Sequence, residues 1–381
     1  MEQRFRFSNL IKGVRAAGNE VVIVYPLEKD ISVIREFETL GCKCTALKRV
    51  PCSWFVFTGL RRKIAFPLDI ARLVVNKLML YHQLKKIVAV EGPDIIHTKT
   101  GVVHEGFSVA RHFNIPHVWH LREYQLKDFN GHPFPSMKSF KQKLNKTNTV
   151  CITKDIQRYF ELDANPNSFA IYNPVMSDGY LAEKDGALSS MPYFFVANRI
   201  SKEKGIEEII SAFAVFQKTN PTYKLLISGF GNEQYISYLK NLCYEKTVKD
   251  SVEFLGYADS DRIYKLMYNS KALIVASYNE GFGRMTAEAN MLGIPVIGRN
   301  TAGTKEILEQ TKGGFQFSTE KEMSDKMKLI AKMTVSEREG FMLEPKRIAK
   351  ELFSNEQHIK KMLSLYESIL ETNVGGGTTV K

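Results

Sequence analysis

The sequence predicts an α/β protein built from two doubly wound, Rossmann-like domains, and three observations lead to this fold class. The chain has 381 residues, 44% of them hydrophobic, which is more than one small core can use. Short apolar runs alternate with segments of helical period along both halves, as parallel βαβ units require. Residues 163–192 are rich in proline, asparagine and serine, so we place the domain boundary near residue 185.

The sequence pattern of the first half predicts a helix at the start, followed by alternating strands and helices. Five apolar residues share one helical face near the N-terminus: Phe5, Phe7, Leu10, Ile11 and Val14. We predict strands over residues 21–25, 44–47, 93–97, 116–120 and 150–153, with a helix over 31–40. A doubly wound domain opens with a strand, whereas this chain opens with a helix. We therefore expect the first strand of the domain, and the glycine-rich turn after it, to be missing from this sequence.

The second half repeats the same alternation more regularly. We predict strands over residues 193–197, 223–228, 252–255, 273–276 and 295–297. Helical periods separate them, and the Asp259-Ser260-Asp261 segment supplies N-caps for one helix. The pattern of residues 356–370 predicts a C-terminal helix. Its apolar stripe, which must be buried, consists of Ile359, Met362, Leu363 and Tyr366.

Charge, cysteine usage and hydropathy narrow the class of protein. Residues 1–180 contain 26 lysines and arginines against 16 acidic residues, whereas residues 181–381 contain 27 against 25. The basic first half suits an acidic substrate, an anionic membrane surface or nucleic acid, but it contains no recognisable nucleic-acid-binding module. Five scattered cysteines without a C-x-x-C pair fit a reducing compartment. No apolar run reaches the roughly 18 residues of a membrane span, so we expect a cytoplasmic protein.

The most specific pattern lies in residues 279–289. Glu280 and Glu288 straddle a predicted strand-to-helix turn, and Gly281 and Gly283 let backbone amides approach a ligand closely. The following helix directs its positive N-terminal end toward the same place. A carboxylate accepts hydrogen bonds from two adjacent hydroxyls, so the arrangement suits a polyol joined to a phosphate. Without their surroundings, the two glutamates could be a helix cap, at Glu280, and a solvated helix residue, at Glu288. The neighbouring glycines and the preceding apolar strand favour a binding site.

This pattern, followed by Gly293-Ile294-Pro295-Val296, resembles the donor site of the family 4 retaining glycosyltransferases of GT-B fold. Residues 197–205, 229–231, 254–257 and 171–175 resemble further segments of the family. The resemblance covers nearly the whole chain and is most specific from residue 193 to residue 308. It implies two Rossmann-like domains facing each other across a cleft: an acceptor-side domain over residues 1–185 and a nucleotide-sugar-binding domain over 186–355. It also implies that the helix over 356–370 crosses back to the first domain.

The resemblance assigns roles to individual residues. Arg199 and Lys204 would bind the donor diphosphate, Glu288 the ribose hydroxyls and Glu280 the transferred sugar. The remaining donor-binding positions would act largely through backbone groups: Gly229, Gly256 and Tyr257 toward the nucleotide, and Gly281, Phe282 and Gly283 toward the sugar or the β-phosphate. Two fixed cations and helix N-termini can stabilise a leaving diphosphate. We therefore expect no metal and no cofactor.

One position in the first half departs from the family pattern. The family usually places a histidine at the end of the strand that follows an Ile-Pro pair, here Ile115-Pro116. That position is Arg122, and His120 lies two residues earlier on the same strand face. Either Arg122 replaces the histidine near the sugar and phosphate, or His120 acts from one pleat away. An ordinary core histidine at 120, and an Arg122–Glu123 ion pair, remain equally open.

A second segment of the first half mixes cations with aromatic residues. Residues 59–66 contain Arg61, Arg62 and Lys63, and Trp54, Phe55 and Phe57 precede them. The segment could contact an anionic lipid surface or a lipid-linked acceptor, as in many relatives. A solvated loop leading into a helix explains it equally well.

The sequence thus predicts a retaining hexosyltransferase that moves a sugar from a UDP- or GDP-sugar to a glycan or lipid-linked acceptor in surface polysaccharide synthesis. The resemblance implies a mechanism without an enzyme nucleophile, in which the leaving diphosphate accepts the proton of the acceptor. Two alternatives stay open: a GT-B nucleotide-sugar epimerase, and a non-catalytic nucleotide-sugar or glycan-binding module. The cytoplasmic protein could also lie peripherally on the inner membrane face through its basic first domain.

Overall fold

A computed structural model of the chain describes residues 2–27, 32–48, 50–56, 60–176, 180 and 191–375. The chain divides into two compact units. The first comprises Met1–Pro174 and Asn355–Lys381, and the second comprises Val175–Ser354. The boundary that we predict near residue 185 falls outside the described residues.

The first unit alternates short strands with helices. Its strands are β1 (Val22–Pro26), β2 (Lys43–Leu47), β3 (Trp54–Val56), β4 (Ile96–Thr98), β5 (His117–Leu121), β6 (Gly131–Pro133), β7 (Asn148–Cys151) and β8 (Ser168–Ala170). The helices up to residue 174 are α1 (Glu2–Ala16), α2 (Ser32–Thr39), α3 (Leu60–Glu91), α4 (Glu105–Phe113), α5 (Leu126–Phe129), α6 (Met137–Leu144) and α7 (Lys154–Tyr159). The predicted strands are thus confirmed with bounds that move by one to three residues.

The parallel strands of the first unit form two separate sheets. Strands β4, β5, β7 and β8 are neighbours in that order, and β1 pairs with β2. In the described part of the chain no hydrogen-bonded ladder joins β1 to β4. The antiparallel pair of β3 and β6 was not predicted. The loop interpretation of residues 59–66 is wrong from Leu60 onward, because α3 begins there and continues through Pro67.

The second unit is built on one six-stranded parallel sheet. Its strands are β9 (Tyr193–Ala197), β10 (Lys224–Ser228), β11 (Val252–Gly256), β12 (Ala272–Val275), β13 (Val296–Arg299) and β14 (Gly314–Phe317). Its helices are α8 (Ile206–Gln217), α9 (Glu233–Glu245), α10 (Ser260–Asn269), α11 (Arg284–Leu292), α12 (Ala302–Thr311), α13 (Glu320–Lys332) and α14 (Val335–Phe353). The last helix of the chain, α15 (Asn355–Gly375), belongs to the first unit.

The strand order of the second sheet locates its ligand-binding edge. The order is β11-β10-β9-β12-β13-β14, so the direction of winding reverses between β9 and β12. Helices cover both faces, and β9 and β12 are fully buried, which explains their unbroken apolar sequences. In such sheets ligands bind outside the carboxyl ends of the strands, at the point of reversal. The Asp259 cap of α10 is confirmed, since its carboxylate accepts a hydrogen bond from the Arg262 amide at 2.9 Å.

Helix α15 completes the core of the first unit. Its residues Met362, Leu365 and Ile369 form one buried cluster with Leu10 of α1, Val118 of β5, Val150 of β7 and Ile171. Of the apolar stripe predicted for the C-terminal helix, Met362 is fully buried, whereas Ile359, Leu363 and Tyr366 are half-buried.

We expect Met362→Ala to lower the free energy of unfolding of the first unit by about 2–5 kcal/mol, because it removes buried atoms and leaves a cavity. Denaturant titrations should show an earlier transition for that unit and an unchanged one for the second unit. The exposed Ser364→Ala on the same helix is the control. Equal shifts of both transitions, or none, would contradict the assignment of α15 to this core.

Candidate active site

The loops at the carboxyl edge of the second sheet pack backbone against backbone. A Cβ on Gly205 would lie 2.5 Å from the carbonyl oxygen of Ala276, and Gly205 has a φ of +65°. A Cβ on Gly229 would lie 1.8 Å from the carbonyl oxygen of Asn198. Only glycine fits at these positions. The close packing fixes the segments that carry the predicted donor-site residues.

Lys204 and Glu280, which are 76 positions apart in sequence, form an ion pair at this edge. The Lys204 Nζ and a Glu280 carboxylate oxygen are 2.5 Å apart, and the side chains are 17% and 21% exposed. Lys204 ends a 3₁₀ turn after β9, and Glu280 lies in the loop after β12. Because β9 and β12 are neighbours in the sheet, their following loops meet. The structure therefore joins two of the predicted residues at the point of reversal.

Arg199 lies on the same loop as Lys204 but is more exposed. Its guanidinium pairs with Glu203 at 2.6 Å, and the Arg199 side chain is 59% exposed. The Glu203 carbonyl accepts a hydrogen bond from the Tyr278 amide, which ties this loop to the one after β12. An exposed guanidinium on an anchored loop is available to an anionic ligand.

Glu288 is fully buried in the second turn of α11. One carboxylate oxygen accepts hydrogen bonds from the Tyr264 hydroxyl at 3.0 Å and from Arg284 Nε at 2.7 Å. The alternative of a solvated helix residue is wrong for this position. A buried carboxylate is costly unless it is paired, and here a cation and a hydroxyl compensate the cost.

The glycine-rich loop before α11 also packs on the start of α12. The Gly303 amide donates to the Glu280 carbonyl at 2.8 Å, and a Cβ on Gly303 would lie 2.5 Å from the backbone of Phe282. Gly283 has a φ of +81° and directly precedes α11. The Phe282 ring is buried against Phe353, so Phe282 can serve a ligand only through its backbone. Two helix N-termini thus begin beside one loop, which favours an anion there.

Several buried polar atoms at this edge have no hydrogen-bond partner among the described residues. They are Asn198 Nδ2, Ser201 Oγ, Ser277 Oγ, Thr286 Oγ1 and Thr304 Oγ1. Each follows the end of β9 or β12 or lies in the first turn of α11 or α12. Unsatisfied buried polar groups are uncommon in folded proteins and call for an explanation. The sequence does not mark these five side chains as site residues, because small polar residues after strands also form ordinary turns.

An aromatic pair lies after β10 and β11. The rings of Phe230 and Tyr257 are 6.4 Å apart and are 61% and 71% exposed. The Gly229 amide donates to the Gly256 carbonyl, which holds the two loops together. Exposed rings at a ligand-binding edge provide a surface on which a planar base can stack. Phe230 was not predicted as a site residue, although it lies between two glycines.

In the first unit, His120 is buried within β5 and Arg122 follows that strand. The His120 ring stacks on His97 of β4 with centroids 5.4 Å apart, and burial lowers the pKa of His120 well below its usual range. Neither ring nitrogen of His120 has a hydrogen-bond partner among the described residues. It is therefore not a satisfied core histidine. Burial also lowers the pKa of Arg122, whereas Glu123 raises it.

The residues that the structure describes contain no group of three or more histidine, cysteine, aspartate or glutamate side chains that could hold a metal ion. None of the helices described is long and apolar enough to cross a membrane.

Comparison with known proteins finds similarity to glycosyltransferases. Residues 182–341 match the family model described as glycosyl transferases group 1. The chain is 33% identical over 117 residues to an uncharacterized glycosyltransferase of Methanocaldococcus jannaschii, covering 30% of this chain and only 29% of that protein. It is 23% identical over 398 residues to alpha-monoglucosyldiacylglycerol synthase of Acholeplasma laidlawii, covering 96% of this chain and 93% of the synthase.

Solved structures show the same fold over nearly the whole chain. Anabaena HepE in complex with UDP matches with a TM-score of 0.74 and 16% identity, covering 96% of each chain. Sucrose-phosphate synthase from Thermosynechococcus elongatus matches with a TM-score of 0.66 and 16% identity, covering 95% of this chain and 92% of that one. The predicted α/β fold of the GT-B glycosyltransferases is therefore confirmed.

Proposed function

We propose that this protein is a retaining glycosyltransferase that uses a nucleotide-sugar donor. The observation that carries the proposal is the Lys204–Glu280 pair at the point of reversal of the second sheet. A cation for the diphosphate and a carboxylate for the sugar lie side by side there, next to two helix N-termini. The buried polar atoms without partners support a ligand of many hydroxyl and phosphate oxygens at the same edge.

The proposed reaction needs no enzyme nucleophile. The acceptor hydroxyl oxygen forms a bond to the anomeric carbon on the face from which the diphosphate departs. The bond between that carbon and the diphosphate oxygen breaks, and the acceptor proton passes to the departing oxygen. Lys204, Arg199 and the N-termini of α11 and α12 stabilise the charge that develops on the diphosphate. Glu280 holds the Lys204 ammonium and accepts a hydrogen bond from the sugar.

Relatives support both substrate classes. HepE structures are described as complexes with UDP and with UDP-glucose, which supports a uridine diphosphate sugar as donor. The name of the Acholeplasma relative, alpha-monoglucosyldiacylglycerol synthase, supports a lipid acceptor. We keep a glycan or a lipid-linked saccharide, as in surface polysaccharide synthesis, as the proposed acceptor.

Incubation of the protein with UDP- and GDP-sugars tests the function. We expect binding of one donor class, measured as a rise in melting temperature, and release of the nucleotide when acceptor lipids or glycans are added. The anomeric configuration of the product, read by NMR, should match that of the donor. Formation of an isomerised nucleotide sugar would instead indicate an epimerase. Donor binding without hydrolysis or transfer would indicate a non-catalytic module.

We expect EDTA to leave the transfer rate unchanged, because Lys204 and Arg199 supply the positive charge that a metal would otherwise provide. Initial rates with and without EDTA, and with added Mg²⁺ or Mn²⁺, measure this. An activity that EDTA abolishes and only a divalent metal restores would show that the two cations are insufficient.

We further propose that α3 contacts an anionic membrane surface. Leu68, Val75 and Met79 are 66%, 55% and 44% exposed and recur at helical spacing, and Arg72 and Lys86 continue the same face. Apolar side chains flanked by cations suit the interface of a bilayer that contains anionic lipids.

We expect Val75→Glu to weaken binding to vesicles of anionic phospholipid by about tenfold. The substitution removes an apolar side chain from the lipid interface, and the negative charge of glutamate is repelled by the anionic headgroups. Sedimentation of protein with vesicles measures the change. Leu343→Glu, on exposed α14 of the second unit, is the matched control. Equal binding of all three proteins, or none by the unmodified chain, would contradict the role of α3.

A further inference from the structure

Three histidines gather at the carboxyl edge of the four-stranded sheet in the first unit. His97 at the end of β4 stacks on His120 of β5, and the His97 Nδ1 lies 2.7 Å from the Tyr366 hydroxyl of α15. His358, also on α15, donates from Nδ1 to the Tyr172 carbonyl at 2.9 Å. The register of β4 and β5 causes the stacking, because His97 pairs with Val118 and His120 lies on the same face two residues later.

Two cations lie at the same edge. Lys99 and Arg122 are close enough to act electrostatically on both His120 and His358. Lys99 follows β4 and Arg122 follows β5, and both side chains are half-buried. The acidic group that acts on Arg122 is its neighbour Glu123. Two cationic side chains thus lie near the three histidines.

The histidines themselves are uncharged. Burial lowers the pKa of His97 to about 3 and that of His358 to about 4, and it lowers the pKa of His120 as well. A neutral imidazole still offers one N–H donor and one acceptor. The N–H of His358 is used by the Tyr172 carbonyl, so His97 and His120 are the two rings that add donor capacity without adding charge.

Part of this capacity is unused within the described residues. Both nitrogens of His120 and Nε2 of His97 are buried and have no partner there. An unsatisfied buried polar group costs about 1–3 kcal/mol, and two adjacent rings carry that cost. Packing alone would be served better by apolar residues at both positions.

From these observations we propose that His97, Lys99, His120 and Arg122 form a binding site for a phosphate group of the acceptor substrate. The proposal that a phosphate binds rests on the cluster itself. The proposal that this phosphate belongs to the acceptor rests on the proposed glycosyltransferase function. A guanidinium, an ammonium and imidazole N–H groups together supply more donors than one carboxylate can accept. A phosphate, with three or more oxygens, matches that number better.

Titration of the UDP-saturated protein with inorganic phosphate and with succinate tests the site. Saturation with UDP occupies the proposed donor site, so that phosphate binding reports on the first unit. We expect phosphate to bind and succinate to bind at least tenfold more weakly. Lys99→Gln should weaken phosphate binding at least tenfold, whereas Lys99→Arg should retain it. Lys138→Gln, an exposed lysine on α6, is the matched control and should bind as the unmodified chain does.

Each other outcome separates this inference from the proposed function. Phosphate that does not bind, or that binds equally to Lys99→Gln and to the control, overturns the site while UDP binding upholds the donor site. UDP that displaces the phosphate, with weaker UDP binding in Lys99→Gln, assigns the cluster to the donor and overturns the acceptor assignment. Failure of UDP to bind, with phosphate binding still dependent on Lys99, overturns the proposed function and leaves the anion site. Melting curves of all variants verify that they are folded.

Discussion

Glu280→Gln should lower the rate of sugar transfer by roughly ten- to a hundredfold and change donor affinity much less. The substitution replaces the carboxylate that holds Lys204 at 2.5 Å. A hydrogen bond between charged groups contributes about 1.5–3 kcal/mol, which corresponds to this range of rates when it acts in the transition state. Turnover at saturating donor and the donor dissociation constant, measured separately, distinguish the two effects.

A matched control is available for this substitution. Glu309 forms an ion pair with Lys305 at 3.8 Å on α12, and both side chains are about half exposed. Exposed pairs of this kind contribute little. Glu309→Gln should therefore leave turnover and stability unchanged. If Glu280→Gln behaves like the control, Glu280 does not contact the transferred sugar.

Glu288→Gln should raise the donor dissociation constant by roughly ten- to a hundredfold. Glu288 already accepts hydrogen bonds from Tyr264 and Arg284, and ribose would require further acceptor capacity. A glutamine amide has one acceptor oxygen and no charge, so it cannot satisfy all of these donors. The loss of a charge-assisted hydrogen bond sets the magnitude, about 1.5–3 kcal/mol. Calorimetric titration with the preferred nucleotide measures it.

Tyr264→Phe serves as the comparison for Glu288. It removes a hydroxyl from the same carboxylate but keeps the charge and the bond from Arg284. We expect donor affinity to change by less than it does in Glu288→Gln. A Glu288→Gln protein with a lower melting temperature and unchanged donor affinity would show that this carboxylate stabilises the fold and does not contact ribose.

Five of the six strands of the second unit could be predicted to within one or two residues, whereas β14 was not predicted. Buried parallel strands are continuous apolar runs, and residues 193–197 show this in the sequence itself. The first unit was harder. Strands β3 and β6 pair over only three residues each. Helix α3 contains Pro67, and a proline in the sequence usually indicates the end of a helix. Short strands and tolerated prolines leave too weak a pattern.

The candidate site, too, could be predicted from the sequence only in part. The residue types and spacing from Glu280 to Glu288 predicted a binding loop and a helix start, because glycines and helix N-termini act locally. The sequence alone could not decide that Glu288 is buried against Tyr264, because both neighbouring helices are polar enough to be exposed. The sequence alone also could not decide whether His120 or Arg122 takes the place of the histidine that is usual in the family.

The sequence by itself determined the alternation of strands and helices, the predicted donor loop and the basic character of the first half. These features depend on local periodicity, backbone freedom and composition, which each stretch of chain carries alone. Only the tertiary structure decided which residues meet: Lys204 with Glu280, and His97 with His120. Those contacts arise from strand order and register, which are set by the packing of whole sheets against their helices and not by any one segment.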